Sequence, residues 1–122
     1  MAAPSVHWFE VTGRDGPALQ QFYARLFDWS VADAGDSSGY GLVSAAGTGI
    51  GGGIGASQDG GPGQVTFYVE VDDPASYLAR AEQLGGRALV QPTEIPNYGL
   101  TFALFTDPEG HVVGLSKGID RS

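Results

Sequence analysis

Two short segments, sixty positions apart, combine aromatic and acidic side chains in a pattern that could do chemistry. Trp8-Phe9-Glu10-Val11 recurs as Tyr68-Val69-Glu70-Val71. A carboxylate whose pKa is raised by burial could act as a general acid or base, with Glu10 or Glu70 as the base and Tyr68 as the proton donor. A carboxylate beside an aromatic wall could instead recognise a ligand, for example a cationic group. Alternatively, both carboxylates are solvated strand ends and both aromatic side chains are core residues.

Each of these segments is predicted to be a strand, because β-branched and aromatic residues dominate it. After the first, Pro17 begins a helix that runs through Trp29, with apolar residues at spacings of three and four. After the second, Asp73 is the N-cap of a helix that ends at Gly85-Gly86. Three short strands are expected after each helix: near Val31, at Tyr40–Ala45 and Gly49–Ala56, then at Ala88–Gln91, Leu100–Thr106 and Val112–Ser116.

The chain therefore repeats one unit, and such a repeat has to be recognised before a fold is assigned. We predict an α+β fold in which two βαβββ modules, residues 5–56 and 64–118, form cupped mixed sheets. Residues 57–63 are rich in glycine and are predicted to be a flexible linker. All 122 residues are expected to form a single domain.

Three motifs of this chain resemble the vicinal oxygen chelate superfamily, which includes glyoxalase I, extradiol dioxygenases, and bleomycin and fosfomycin resistance proteins. The first helix ends in the run from Phe22 to Trp29, the second ends in Leu84-Gly85-Gly86, and a closing hairpin follows from Phe105 to Leu115. The resemblance covers essentially the whole chain. It implies the glyoxalase/bleomycin-resistance/dioxygenase fold, which hosts many chemistries.

In metal-dependent members of that superfamily, the first and last strands of each half supply His, Gln or Glu ligands. The matching positions here are Val6, Thr66, a position near Gly53, and Gly114. Threonine is a poor ligand, and valine and glycine have no donor side chain. His7 is one residue out of register, which turns it to the other face, unless the count is wrong by one. The resemblance therefore implies no metal or other cofactor; a divalent-metal-dependent glyoxalase or dioxygenase-like enzyme is the alternative if the register is misread.

Strand alternation predicts which side chains would line the cleft of the cupped sheets. Aromatic and acidic side chains of the first strands would face residues of the last strand, and glycine there would open room or let backbone approach a ligand. A concave aromatic site with a few polar groups is typical of a small-molecule pocket. Tyr98 lies in a loop that could cover the cleft or simply pack in a turn. The predicted lining is Val6, Trp8, Glu10, Thr66, Tyr68, Glu70, Tyr98, Val112, Gly114 and Ser116.

Composition narrows the classes of partner. The net charge is −8, from 6 basic and 14 acidic residues, which argues against nucleic acid because phosphate binding needs clustered Lys and Arg. The absence of cysteine excludes disulfides, thiolate metal sites and thiol nucleophiles. The sequence shows no signal peptide and no membrane span, so we expect a cytoplasmic protein with no membrane partner.

The leading interpretation is a binding module that takes up a small organic molecule in a metal-free aromatic and acidic cleft, a class that the resemblance implies. The first alternative is a metal-independent lyase, isomerase or hydrolase with Glu10 or Glu70 as acid or base. Another is an interaction domain whose cup is filled by its own side chains. Whether the protein is an enzyme stays open at this point. The resemblance also suggests a homodimer.

Overall fold

A computed structural model describes residues 3–35, 38–45, 49–95 and 99–118. Within these ranges the chain forms two helices and eight strands, which confirms the predicted α+β class. It divides into two compact units: His7–Thr66, called the first unit here, and the remaining described residues, called the second unit. The elements are β1 Val6–Gly13, α1 Gly16–Phe27, β2 Val31–Asp33, β3 Gly41–Val43, β4 Gly51–Ala56, β5 Val65–Glu70, α2 Pro74–Gln83, β6 Arg87–Ile95, β7 Leu100–Thr106 and β8 Val112–Lys117.

In the first unit the strands are ordered β2-β3-β4-β1. β2, β3 and β4 form an antiparallel meander, whereas β1 runs parallel to β4. A parallel pair needs a long crossover, which α1 begins here. The register places Trp8 opposite Gly51 and Glu10 opposite Gly53.

The second unit repeats this arrangement, with its strands ordered β5-β8-β7-β6 and with β5 parallel to β8. Tyr68 lies opposite Gly114, and Glu70 lies opposite Ser116. β6 continues past the predicted end at Gln91 as far as Ile95. Its pairing with β7 is irregular on both sides of Val90, and such irregularities let a strand continue through a proline that cannot donate a hydrogen bond.

Each unit has a small hydrophobic core between its helix and its strands. The first is rich in aromatic side chains, with Phe9, Tyr23 and Trp29 packed around three buried aliphatic residues; the ring centroids of Phe9 and Trp29 are 5.5 Å apart. The second is mainly aliphatic. The buried core residues are Val11, Val43 and Ile54 in the first unit, and Val71, Leu78, Ala103 and Leu115 in the second.

The helix ends show how local sequence fixes the two crossovers. Asp15 caps α1 by accepting a hydrogen bond from the Ala18 amide at 3.0 Å. α1 ends at Phe27 rather than at the predicted Trp29, because Asp28 takes a left-handed conformation with φ 56°. Asp73 caps α2, as predicted. No described helix is long and apolar enough to cross a membrane.

Candidate functional site

Trp8 and Glu10 lie on the face of β1 that points away from α1. Phe9 packs against the core and Val11 is buried within it. Successive side chains of a strand point to opposite faces, so Trp8 and Glu10 share the other face. Both are half-buried. His7 alternates with them and therefore lies on the same face as Phe9.

Tyr40 joins these two side chains, a role that was not predicted from the sequence. The Trp8 indole Nε1 donates to the Tyr40 hydroxyl oxygen at 3.3 Å, and that hydroxyl donates to Glu10 Oε2 at 2.9 Å. A hydroxyl can accept and donate at once, and a carboxylate at the end of such a chain accepts in its ionised form. The signal in the sequence was a tyrosine between two glycines, whose polar tip needs a partner once its ring is covered.

The turn that carries Tyr40 is held from α1. The Gln20 side-chain amide donates to the Gly39 carbonyl at 2.9 Å and to the Ile54 carbonyl at 2.8 Å. The Tyr40 carbonyl in turn accepts from the Ala34 amide at 3.0 Å. The backbone of Tyr40 is thus fixed on both sides, which orients its side chain toward Glu10.

Glycine in β4 makes room for these rings. A Cβ at Gly53 would overlap the ring and hydroxyl of Tyr40, and a Cβ at Gly51 would lie 3.3 Å from Trp8 Cζ3. From the sequence, these glycines were expected to open room or to let backbone approach a ligand. The space beside Gly53 is instead occupied by the Tyr40 ring, so a side chain of the first unit fills this part of the sheet face.

The second unit has a related but different arrangement. The ring of Tyr68 lies over Gly114, where a Cβ would overlap it. Glu70 is exposed, and Ser116 opposite it is only 6 % exposed. The Ser116 hydroxyl has no hydrogen-bond partner among the described residues. Leu115 points into the core, so alternation places Ser116 on the same face as Tyr68.

The other predicted site residues are scattered. Val6 is 45 % exposed at the start of β1, Thr66 is 5 % exposed, and Val112 is half-buried at the start of β8. Tyr98 lies outside the described residues. The structure therefore brings Trp8 together with Glu10 in the first unit, and it groups Tyr68 and Glu70 of β5 with Gly114 and Ser116 of β8 in the second.

The resemblance places metal ligands on the first and last strands of each half, and the strand register aligns the last-strand positions of the two units. The register makes Gly51 the counterpart of Gly114, and Gly53 the counterpart of Ser116. Glycine has no donor side chain, and aromatic rings fill the space beside Gly53 and Gly114. Among the residues that the structure describes, no three His, Asp or Glu side chains are grouped to hold a metal.

Two shallow depressions lie elsewhere in the first unit, on the outer side of α1. Their volumes are about 420 and 500 Å³, and Phe22 lines both. Leu26 lines the smaller one, and both side chains are more than half exposed, at 57 % for Phe22 and 58 % for Leu26. No residue of the predicted cleft lines either depression.

The turn between β7 and β8 contains the second histidine of the chain. The backbone N–H of His111 and that of Glu109 donate to Asp107 Oδ1, each at 2.9 Å, and His111 Nδ1 lies 3.0 Å from Asp107 Oδ2. The His111 backbone hydrogen bond is the main cause that holds the pKa of Asp107 below its ordinary value of 3.8. His111 is 73 % exposed, and its described hydrogen bonds are to Asp107 of the same turn.

Comparison with known proteins gives one family. A sequence profile for a glyoxalase-like domain matches residues 8–116. Among solved structures, methylmalonyl-CoA epimerase from Mycobacterium tuberculosis superposes with a TM-score of 0.68 at 14 % identity, covering 99 % of this chain and 95 % of the epimerase. A glyoxalase/bleomycin resistance protein/dioxygenase superfamily member from Vibrio splendidus gives 0.62 at 13 % identity, covering 96 % of this chain and all of that protein. At these identities the likeness shows the fold alone.

Two curated relatives are similar in sequence. The anthracycline biosynthesis protein DnrV of Streptomyces peucetius is 30 % identical over 120 residues, which cover 84 % of this chain and 43 % of the relative. The putative glyoxylase CFP32 of Mycobacterium bovis is 31 % identical over 78 residues, which cover 64 % of this chain and 30 % of the relative. The matched regions span less than half the length of these relatives.

Proposed function

From the premise that this chain belongs to the glyoxalase-like domain family, we propose that it binds a small organic molecule on the sheet face of its first unit, without a metal ion. The observation that carries the proposal is the hydrogen-bonded chain from Trp8 through Tyr40 to Glu10. It combines two aromatic side chains with a carboxylate on one face, which is the mixture of apolar surface and few polar groups that small-molecule sites use.

The cluster is held in one arrangement before any ligand arrives. Gln20 fixes the turn before Tyr40, and the Tyr40 hydroxyl fixes Glu10 Oε2. Ordering side chains on binding costs about 0.5–1.5 kcal/mol for each flexible side chain. A cluster that is already ordered avoids most of that cost, which favours a recognition role over a purely solvated strand end.

Metal independence is supported by the chemistry of the strand positions. The last strand of the first unit offers Gly51 and Gly53, and the Tyr40 ring overlaps the place where a side chain at position 53 would start. A ligand of this unit would therefore meet aromatic and carboxylate groups. Similarity to a protein named for anthracycline biosynthesis supports an organic ligand in general terms.

Thermal shift in the presence of excess chelator tests this function. Acridine and proflavine, two flat aromatic probes, should raise the melting temperature of the protein with chelator present. The variant Trp8→Ala should lose that shift, because it removes one of the two rings. A shift that requires an added divalent metal would contradict the proposal.

A second candidate function is a metal-independent acid–base enzyme, favoured by the 2.9 Å contact between the Tyr40 hydroxyl and Glu10. In that case Glu10 would take a proton from a bound substrate, and Tyr40 would be the neighbouring donor in place of the expected Tyr68. If a substrate is found among the ligands, Glu10→Gln should abolish turnover while leaving binding measurable. Unchanged turnover in Glu10→Gln would remove this candidate.

A further inference from the structure

We propose that the Trp8–Tyr40–Glu10 cluster is a subsite for a protonated amine or quaternary ammonium group carried by a flat apolar molecule. This inference rests on the proposed binding function and adds the chemical class of the ligand. It follows from three features that attract cations: the carboxylate of Glu10, the two aromatic rings beside it, and the net charge of the first unit.

The first route is the carboxylate of Glu10. The Tyr40 hydroxyl donates to Oε2, so this carboxylate already acts as a hydrogen-bond acceptor on the sheet face. A half-buried carboxylate is a stronger partner for an ammonium group than one in bulk water, because its surroundings screen it less.

The second route is the pair of rings. Trp8 and Tyr40 are both half-buried, and their polar tips meet at 3.3 Å, so the two rings converge beside Glu10. Aromatic faces attract cations through their quadrupole, and tryptophan does so best. Rings beside a carboxylate would repel an anionic group and would accept an ammonium group with an apolar body.

The third contribution is the charge of the whole first unit. Positions 7–66 contain six acidic residues and two arginines, which gives a net charge of 2 − 6 = −4. The arginines, Arg14 and Arg25, are exposed at the loop before α1 and on α1, and α1 packs on the opposite face of β1 from Glu10. The field of this unit therefore favours the approach of a cation. The acidic residues are Glu10, Asp15, Asp28, Asp33, Asp36 and Asp59.

Three naphthalene probes that differ in charge test this subsite: (2-naphthylmethyl)trimethylammonium, 2-naphthylmethanol and 2-naphthylacetate. Binding to the full chain is followed by ¹H–¹⁵N NMR titration, with chelator present and at low salt. The cation should bind most tightly, the alcohol less tightly and the anion least. The largest shifts should fall on the indole N–H of Trp8 and on the amides of residues 39–41 and 51–53.

Two variants with the same change in net charge separate a specific contact from the general field. Glu10→Gln should weaken binding of the cation about tenfold, as expected for loss of one charge-assisted contact. Asp59→Asn, in an exposed turn of the same unit, should change it less than twofold. If Glu10→Gln disturbs the fold, Trp8→Leu provides the second test, and it should weaken the cation more than the alcohol.

The outcomes distinguish this inference from the function on which it rests. If the alcohol binds as tightly as the cation and Glu10→Gln affects neither, the ammonium subsite is overturned and the binding function stands. If none of the probes binds, both are overturned. Equal losses in Glu10→Gln and Asp59→Asn would reduce the effect to net charge and would also overturn the subsite.

Discussion

The two units of this chain share one strand register but place their bulky side chains on different strands. On the core side, the first unit pairs Phe9 with a glycine at position 52, whereas the second pairs Val69 with Leu115. On the opposite side, the first unit pairs Glu10 with Gly53 and the second pairs Glu70 with Ser116. At one further pair of equivalent positions, both units combine an aromatic residue with glycine: Trp8 with Gly51, and Tyr68 with Gly114.

This difference shows that the two units use different residue pairs at equivalent positions of one register. Protein interiors are close-packed, so a ring on one strand requires a small residue on its neighbour. The exchange also changes the polar chemistry, because Gly53 leaves room for Tyr40 and its hydrogen bond to Glu10. In the second unit, Ser116 occupies the matching position and its hydroxyl has no described partner.

The largest effect is expected when Gly52 of the first unit is replaced by leucine, the residue found at the equivalent position 115 of the second unit. Gly52→Leu would drive its Cβ into the Phe9 ring, and the backbone of the parallel pair would have to move. We expect a loss of about 3 kcal/mol or more in the free energy of unfolding, above the usual range for overpacking. Chemical denaturation measures it.

The matched variant for this prediction is Phe9→Val, which alone should cost about 2 kcal/mol by leaving a cavity. The double variant then carries the Val and Leu pair of the second unit. It should recover at least half of the loss of Gly52→Leu, because valine clears the space that leucine needs. Additive losses would refute the idea that the two units exchange volume across one register.

A somewhat smaller effect is expected on the opposite face. Gly53→Ala should cost about 2 kcal/mol, because its Cβ would overlap the Tyr40 ring and break the contact with Glu10. In a Tyr40→Ala background the same change should cost little, since the ring is gone. A double-mutant cycle measures the coupling, and a coupling near zero would contradict the assigned packing.

Much of this architecture could be predicted from the sequence, because strand alternation and helix periodicity are local signals. The repeat of Trp8 and Glu10 in Tyr68 and Glu70 placed these side chains on two equivalent strands. The role of Tyr40 could not be predicted, because its partners are 30 and 32 residues away and depend on the β1–β4 register. The cleft, homodimer and cytoplasmic location expected from the sequence stay predictions.

The ends of α1 and β6 were predicted at the wrong residues, and both errors have the same kind of cause. The apolar periodicity of α1 runs on to Trp29, but a left-handed Asp28 ends the helix and sends that ring into the core. β6 extends past Gln91 because pairing with β7 holds it beyond the irregular region. In both places tertiary packing overrides the local pattern, which no single-sequence signal reports.

The hydrogen-bonded chain of the first unit should contribute measurably to stability. Tyr40→Phe keeps the ring over Gly53 and removes the hydroxyl that links Trp8 with Glu10. We expect a loss of about 1 kcal/mol, typical of one net hydrogen bond to a side chain, and a change in tryptophan fluorescence. Tyr23→Phe is the control for loss of a hydroxyl in the same unit, and it should leave the fluorescence of Trp8 unchanged.

The second unit should respond in the opposite sense at its matching position. Ser116→Ala removes a buried hydroxyl without a described partner, so the free energy of unfolding should stay constant or rise by up to about 1 kcal/mol. Ser57→Ala is the contrasting variant, because the Ser57 hydroxyl donates to the Gly61 carbonyl at 2.7 Å, and it should lower stability. Clear destabilisation in Ser116→Ala would show that the Ser116 hydroxyl makes a stabilising hydrogen bond, as the Tyr40 hydroxyl does in the first unit.

The smallest effect concerns a carboxylate of the second unit that serves its own turn, in contrast to Glu10. Hydrogen bonds from the turn lower the pKa of Asp107, so its contribution to stability is complete above the unfolded value near 3.8 and is lost as pH falls through the folded value. The melting temperature of Asp107→Asn should therefore lie slightly below that of the parent at neutral pH, and the gap should shrink below about pH 4. NMR titration of the Asp107 carboxyl gives the folded pKa directly. A gap that is constant down to about pH 3 would mean that the hydrogen bonds of the turn do not favour the ionised form of Asp107.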